Sequence, residues 1–337
     1  MNGYFIGGDI GGTKVLLQAA ELKDDLQMQV LCERRYASRE YASFSGMLAD
    51  FLKQPELQEP GRNAAAACFA VAGPITEQGA RLTNLPWLMN AAALASEFSI
   101  PFVKLINDFA AVALSVEVLP RHDLITLQEG KQLSGEMRVA LGAGTGMGTA
   151  WLSWQEDRYV ALSSEAGHTD FAPADELQDG LLRYLRAKFG HVSVERVLSG
   201  PGLTDIFNFL SSKAGFEVSA AEQMQLEAGD APRVTELAFR DGHPAAMGAM
   251  DLFVAVYGAY AGNLALTGLT RGGVYVAGGI APKIVGKLKE GGFLKAFRDK
   301  GRFAALMEEI PVHVVINSAA GLFGAVNEAR RMLLKNR

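Results

Sequence analysis

Gly7-Gly8-Asp9-Ile10-Gly11-Gly12-Thr13-Lys14 joins two apolar runs, Tyr4 to Ile10 and Val15 to Ala20, and its reading decides how the chain begins. Two strand-like runs separated by Gly11-Gly12-Thr13 predict a β-hairpin whose turn needs glycine backbone freedom. Successive glycines let backbone N–H groups approach a phosphate without Cβ hindrance. Thr13 adds a hydroxyl donor, and Asp9 at the strand end could hold Mg²⁺ directly or through water. The spacing is neither that of the P-loop nor that of the dinucleotide fingerprint. Alone, such a hairpin is more often only a turn.

The pattern returns after Leu119-Pro120. Arg138 to Gly142 reads as a strand, Gly142-Ala143-Gly144-Thr145-Gly146-Met147-Gly148 as a glycine turn, and Thr149 to Trp154 as the returning strand. Two such hairpins can grip a polyphosphate from both sides, so coincidence becomes the poorer explanation. A third cluster, Gly278-Gly279, follows the strand Gly273 to Ala277 and could let a nucleotide base and ribose lie against bare backbone. By itself it would be a strand-to-helix turn.

Around these turns, helix and strand alternate. Strands are expected at Val30–Arg35, Ala65–Ala72 and Phe102–Ile106, and helices at Ser43–Leu52 and Ala91–Phe98. A long helical section is expected from about Asp175 to Leu269, then a strand at Pro311–Asn317 and a closing helix at Gly321–Leu334. This is an α/β layer pattern with a weak duplication of one strand-hairpin-strand unit. Within Met250–Leu269, Asp251 and Asn263 interrupt the apolar run, so it reads as a buried helix and not a membrane span.

Composition bounds the function. The chain has 337 residues, 49% hydrophobic and 20% charged, which suits about two globular domains and excludes disorder. A formal net charge of −5 removes the footprint of a general nucleic-acid binder. The two cysteines, Cys32 and Cys68, build neither a disulfide framework nor a thiolate zinc site and read as core thiols of a reducing compartment. The first residues carry no secretory pattern, so a cytoplasmic location is expected.

Several segments in order resemble the sugar kinase, heat-shock ATPase and actin superfamily, and within it the bacterial glucokinases of the hexokinase type. They are Gly8–Thr13, Leu82-Thr83-Asn84-Leu85-Pro86-Trp87, Ile106-Asn107-Asp108-Phe109, Gly142–Gly146, Glu165-Ala166-Gly167-His168, Glu195–Gly202 and Val276–Ile280. Together they span nearly the whole chain. The resemblance implies a duplicated actin-like ATPase (ribonuclease H-like) α/β fold with two domains and a central cleft. A small domain over residues 1–117 would be completed by about 318–337, and a large one would cover 118–317.

It further implies ATP-dependent phosphorylation of glucose at the 6-hydroxyl. Asn84, Asn107, Asp108, Glu165, His168 and Glu195 would contact the sugar, with Asp108 as general base. ATP would lie on Gly8, Asp9, Ile10, Gly11, Gly12, Thr13, Gly144, Thr145, Gly146, Gly278 and Gly279, with Mg²⁺ held by Asp9 through water. Carboxylates, an amide and an imidazole suit a ring of hydroxyls, each donor and acceptor. No Cys-rich zinc segment follows His168, so its role would be sugar contact. Lys14 departs from the family, which often has Asn there. Expected partners are glucose and, from the resemblance, a second copy of the chain, with no nucleic acid or membrane.

Each residue also has a plain alternative. Asn107-Asp108 ending a strand is usually a turn or helix cap, Glu195 could be a first-turn helix acid, and a lone His168 would be structural. Asn84 would be an exposed loop residue, and His122, His191, His243 and His313 match nothing and read as structural. At the level of function, the rivals are a kinase for mannose or fructose, a sugar-sensing regulator on the same fold, and an actin-like filament ATPase.

Overall fold

The opening hairpin forms. Strand β1 (Gly3–Ile10) pairs antiparallel with β2 (Lys14–Leu22), setting Asp9 opposite Leu16 and Ile10 opposite Val15. A computed structural model of the chain describes residues 3–73, 75–76, 78–82, 85–213 and 231–335. Two units divide it: Met1–Arg121 with Tyr159–Ser163 and Asn317–Arg337, and His122–Arg158 with Ser164–Ile316.

In the first unit, β3 (Met28–Ala37) continues the antiparallel hairpin, and β4 (Asn63–Val71) lies parallel to β1 on its other side. Three short strands, β5 (Ile75–Thr76), β6 (Gly79–Arg81) and β7 (Leu88–Met89), form a small separate sheet. Strand β8 (Phe102–Asn107) then completes the order β3-β2-β1-β4-β8. Helix α1 (Phe44–Leu52) starts where Ser43 Oγ accepts the Gly46 N–H, and α2 (Ala91–Phe98) where Asn90 does the same for Ala93. β1 is covered on both faces. A Cβ on Gly8 would lie 2.7 Å from Leu17 and 2.8 Å from Phe69, and one on Gly7 would run into Val326 of the last helix (Ala320–Lys335). These two glycines are therefore packing requirements of the sheet.

The second unit repeats the plan. After β9 (Leu124–Gln128), β10 (Arg138–Ala143) and β11 (Met147–Gln155) make the second hairpin. Strand β12 (Arg158–Ser164) follows, its residues Tyr159–Ser163 counted with the first unit. β13 (Gly273–Ala277) lies parallel to β10, β14 (Val312–Val315) parallel to β13, and β9 antiparallel to β14. An antiparallel hairpin strand followed by parallel partners is thus the topology of both sheets.

Among the described residues the expected helical section resolves into Glu176–Phe189, Gly200–Ser211, Ala231–Phe239 and the long Pro244–Gly268; its residues 214–230 lie outside them. That last helix is the one described helix long and apolar enough to cross a membrane, and it is mostly buried. Gly258 and Gly262 let it approach the backbone carbonyls of Phe293 and Phe297. The fully buried Tyr257, Phe253, Phe293 and Phe297 centre this unit's core, each contributing ~1.5–3 kcal/mol by burial. Cys32 and Cys68 are buried free thiols.

Several elements escape the periodicity reading, among them β9, β12, the short sheet β5–β7, helix α3 (Asp108–Ser115) and the short helices Val285–Lys289, Gly292–Arg298 and Ala304–Glu309. The strand expected at Pro311–Asn317 shortens to Val312–Val315, because Ile316 and Asn317 leave the ladder.

Candidate active site

The first glycine turn is closed by the Gly11 N–H donating to the Lys14 carbonyl at 3.0 Å. It is pinned from outside by Ser38, which is fully buried. Its hydroxyl donates to the Gly11 carbonyl at 2.8 Å and its N–H to the Thr13 carbonyl at 3.1 Å. Gly8 and Ile10 sit inside the β1 ladder, so the open part of this loop is Gly11, Gly12 and Thr13. Asp9 ends the strand beneath it. Burial pushes the Asp9 carboxyl above the usual carboxylate range, and the nearby Lys14 ammonium opposes that shift. The last helix begins directly over this group: a Cβ on Gly321 would lie 3.2 Å from the Asp9 carboxyl, a tight contact that the carboxyl would have to give way to.

Asn107 ends β8 and caps α3. Its Oδ1 accepts the Phe109 N–H at 2.9 Å and the Ala110 N–H at 3.2 Å, and its Nδ2 donates to the Gly73 carbonyl at 3.4 Å. The cap reading of this residue therefore holds. Asp108 occupies the first helical position, with its Oδ1 2.8 Å from the Phe109 N–H. Asn84 lies outside the described residues.

In the second unit the glycine turn is bound from four directions. The Ala143 N–H donates to the hydroxyl of buried Tyr257 at 3.0 Å, and the Ala143 carbonyl accepts the Ile280 N–H at 3.1 Å. The Gly144 carbonyl accepts the Gly200 N–H at 2.8 Å, and the Met147 N–H donates to Glu195 Oε2 at 2.9 Å. Burial raises the Tyr257 phenol well above its ordinary value, keeping it protonated. Gly278 has φ +83°, and a Cβ on it would meet the Ala143 carbonyl oxygen at 2.6 Å, so the turn after β13 needs glycine on two counts. Gly279 faces open space, and a Cβ on Gly144 would come no nearer than 4.0 Å to the Gly279 nitrogen. Gly144, Gly200, Gly278 and Gly279 thus meet as a patch of bare backbone.

Beside that patch stand Glu165, His168 and Glu195. The turn Ala166–His168 is closed by the His168 N–H donating to the Glu165 carbonyl at 2.9 Å, and Gly167 rests on the Met147 carbonyl, where any Cβ would collide. The Val194 N–H donates to the Thr169 carbonyl at 2.9 Å, tying the segment of Glu195 to that of His168. His168 Nε2 is 3.9 Å from Glu165 Oε2, and its Nδ1 is 3.9 Å from Glu195 Oε1. Both gaps exceed hydrogen-bond length. With Glu165 75%, His168 60% and Glu195 32% exposed, the three polar ends are gathered, and Glu165, His168 and Glu195 Oε1 are open to a hydroxylated ligand while Glu195 Oε2 holds Met147. A cavity of about 210 Å³ lies nearby, walled by Trp151, Phe171, Val194 and Tyr260, and none of these three polar side chains lines it.

Sequence reading missed four supports: Ser38, Tyr257, Gly200 and Gly321. Gly200 lies within a motif quoted for the resemblance, while the others carry no local signal. Of the four histidines that match no motif, His122 and His191 are largely exposed, so a core role does not apply to them.

A family model named Glucokinase matches residues 6–332. The chain is 41% identical to the glucokinase of Nostoc sp., the match covering 97% of this chain and 99% of the relative. Its structure is similar to that of a glucokinase from an Antarctic psychrotroph, with a TM-score of 0.85 at 27% identity, over 97% of this chain and 99% of the other. It also shares the fold of a ROK family glucokinase from Streptomyces griseus solved in complex with glucose and AMPPNP, with a TM-score of 0.60 at 20% identity, over 97% and 99% of the two chains. The fold is the actin-like ATPase fold of these sugar kinases. Because the match runs almost end to end and takes in both glycine turns and the carboxylate–histidine cluster, the chain belongs to the glucokinase family.

Proposed function

We propose that the protein transfers the γ-phosphoryl group of ATP to the 6-hydroxyl of glucose, with Asp108 as the base. The observation that carries this reading is that the Glu195 carboxylate docks on the Met147 N–H and the Glu165–His168 turn, through Gly167, on the Met147 carbonyl, which sets side chains suited to sugar hydroxyls at the edge of a glycine turn suited to phosphates. Glu165 and Glu195 accept hydrogen bonds from hydroxyls, and His168 donates or accepts according to its tautomer. A sugar lacking or inverting one of those hydroxyls leaves a carboxylate unpaired and binds less well. Asn107 uses its side-chain oxygen to cap α3, so its contribution to the sugar falls to its amide nitrogen.

Asp108 removes the proton of the 6-hydroxyl as that oxygen attacks the γ-phosphorus and the bond to the ADP oxygen breaks. Little else is asked of covalent chemistry, so positioning and charge stabilisation supply most of the rate. Backbone N–H groups of Gly12–Thr13 and Thr145–Gly146 cradle the phosphates, since those of Gly11 and Gly144 close their own turns, and Gly278 and Gly279 receive the nucleoside. Among the described residues no cluster of three or more His, Cys, Asp or Glu side chains could hold a metal alone. Mg²⁺, however, takes one or two carboxylates plus substrate phosphates and water. Asp9 fits that pattern, being a buried carboxylate that desolvation holds above its usual range despite the nearby Lys14 ammonium. Bound there, Mg²⁺ would neutralise phosphate charge. A cytoplasmic location and the supply of glucose 6-phosphate to glycolysis belong to the same reading.

The test is a coupled assay with MgATP and glucose, mannose, fructose or N-acetylglucosamine. Glucose is expected to give the highest kcat/KM. Turnover of none of them would overturn the reading, and preference for another hexose would move the assignment to that sugar.

A further inference from the structure

Glu195 uses its two carboxylate oxygens in different directions. Oε1 faces His168 at 3.9 Å, whereas Oε2 accepts the Met147 N–H at 2.9 Å, at the first residue of β11 where it leaves the second glycine turn. Gly146 records how closely the carboxylate fits. A Cβ there would lie 2.5 Å from Glu195 Oε2 and 3.3 Å from its Cδ, and no other atom comes within 4 Å. The backbone at Gly146 is outside the left-handed region, so what a Cβ here would disturb is the Glu195 carboxylate, which it would displace. Glu195 itself is anchored through its own turn: the Arg196 N–H donates to the Ser193 carbonyl at 3.1 Å, and the Leu198 N–H to the Val194 carbonyl at 2.7 Å.

We infer that Glu195 is a positioning residue for the nucleotide loop, in addition to its contact with the sugar, and that its carboxylate couples the two ligands. The inference rests on the assignment of this loop to nucleotide and of this cluster to sugar. Pulled toward Met147, the carboxylate holds Gly144–Met147 in shape before nucleotide arrives. A sugar hydroxyl on Oε1 fixes the side chain further and so lowers the ordering cost of nucleotide binding, and linkage makes the effect reciprocal.

The experiment titrates MgAMPPNP calorimetrically with glucose absent and again at saturation, then titrates glucose alone. In Glu195→Ala, sugar-free MgAMPPNP affinity is expected to fall about 10-fold, the share of a charge-assisted hydrogen bond that reaches the loop, and the glucose-induced gain in affinity to vanish. Glu195→Gln, which keeps a carbonyl acceptor for Met147, recovers most of the sugar-free affinity. Gly146→Ala weakens glucose binding by displacing the carboxylate, and adds no further glucose loss in the Glu195→Ala background. A residue serving only the sugar predicts the opposite pattern: glucose loss with MgAMPPNP affinity within two-fold of wild type in Glu195→Ala. That result overturns the inference, as does additive loss of glucose affinity in the double variant. Should Glu195→Ala fail to fold, the Met147 amide proton decides: its resonance and exchange rate must move in Gly146→Ala and in Glu195→Gln, and an unmoved resonance overturns the inference. Failure of the wild-type protein to bind MgAMPPNP at all would remove the kinase reading itself, and the coupling with it.

Discussion

Gly278 and Gly279 are adjacent in sequence, yet a methyl group added to each should fail in different ways. At Gly278 the φ of +83° places an L-residue in the left-handed region, at a cost of ~1–2 kcal/mol. The new Cβ also meets the Ala143 carbonyl oxygen at 2.6 Å and the Gly142 carbonyl carbon at 2.9 Å, both backbone atoms. The strand end must retreat, weakening the 3.1 Å hydrogen bond from the Ile280 N–H to that carbonyl by ~0.5–1.5 kcal/mol. Gly278→Ala is therefore expected to destabilise by about 2–4 kcal/mol, which lowers Tm by roughly 4–15 °C in a domain of this size. At Gly279 nothing lies within 4 Å, so Gly279→Ala should leave stability within ~0.5 kcal/mol of wild type while its methyl group stands where the nucleoside is proposed to lie. Urea unfolding at equal m-value gives the first quantity, and the KM for MgATP at saturating glucose gives the second. Gly279→Ala should raise that KM several-fold without changing the urea midpoint. Equal stability losses in both variants would refute the assignment of these glycines, as would an unchanged MgATP KM in Gly279→Ala.

Asp108→Asn keeps an acceptor for the Phe109 N–H, so it should fold normally and lose ~10²–10⁴ in kcat; near-normal turnover would remove Asp108 as the base. Asp9→Asn should raise the urea midpoint at pH 7 while abolishing turnover. The folded pKa of Asp9 lies above its unfolded value, so the wild-type protein holds that stability only below the unfolded pKa and loses it as pH rises through the folded one. The advantage of the Asn variant should accordingly shrink as pH falls into the ordinary carboxylate range, and a gap independent of pH would contradict the burial argument. Ser38→Ala removes the hydroxyl bonded to the Gly11 carbonyl, costing ~0.5–1.5 kcal/mol and raising KM for MgATP more than for glucose; equal changes in both constants would show only general loosening.

Local signals were legible in the chain alone. Two apolar runs flanking Gly11-Gly12-Thr13 made a hairpin because an antiparallel pair needs only its own turn, and the same logic held for the hairpin of β10 and β11. The helical spacing of Ser43–Leu52 marked α1, which begins one residue later at Phe44 because Ser43 caps it. The carboxylate–histidine cluster was legible as a set of residue types in family order. Its arrangement was not, because it depends on contacts between segments far apart in the chain. Met147 and Glu195 are 48 residues apart, Ala143 and Tyr257 are 114 apart, and Ser38 reaches back 27 residues to Gly11. None of these partners carries a periodic or glycine-rich signature, since a lone serine, tyrosine or glutamate is equally at home on a surface or in a core. α3 escaped notice for a related reason: its buried positions Ala110, Ala111 and Ala113 are small, and the last helix comes up against the Ala111 backbone through Gly324, leaving no bulky apolar stripe to read. Gly321 looked like the start of a helix and nothing more. Only the folded chain places it against the buried Asp9 carboxyl, because the last helix packs on β1 after more than 300 intervening residues, and sequence order holds no record of that distance being closed.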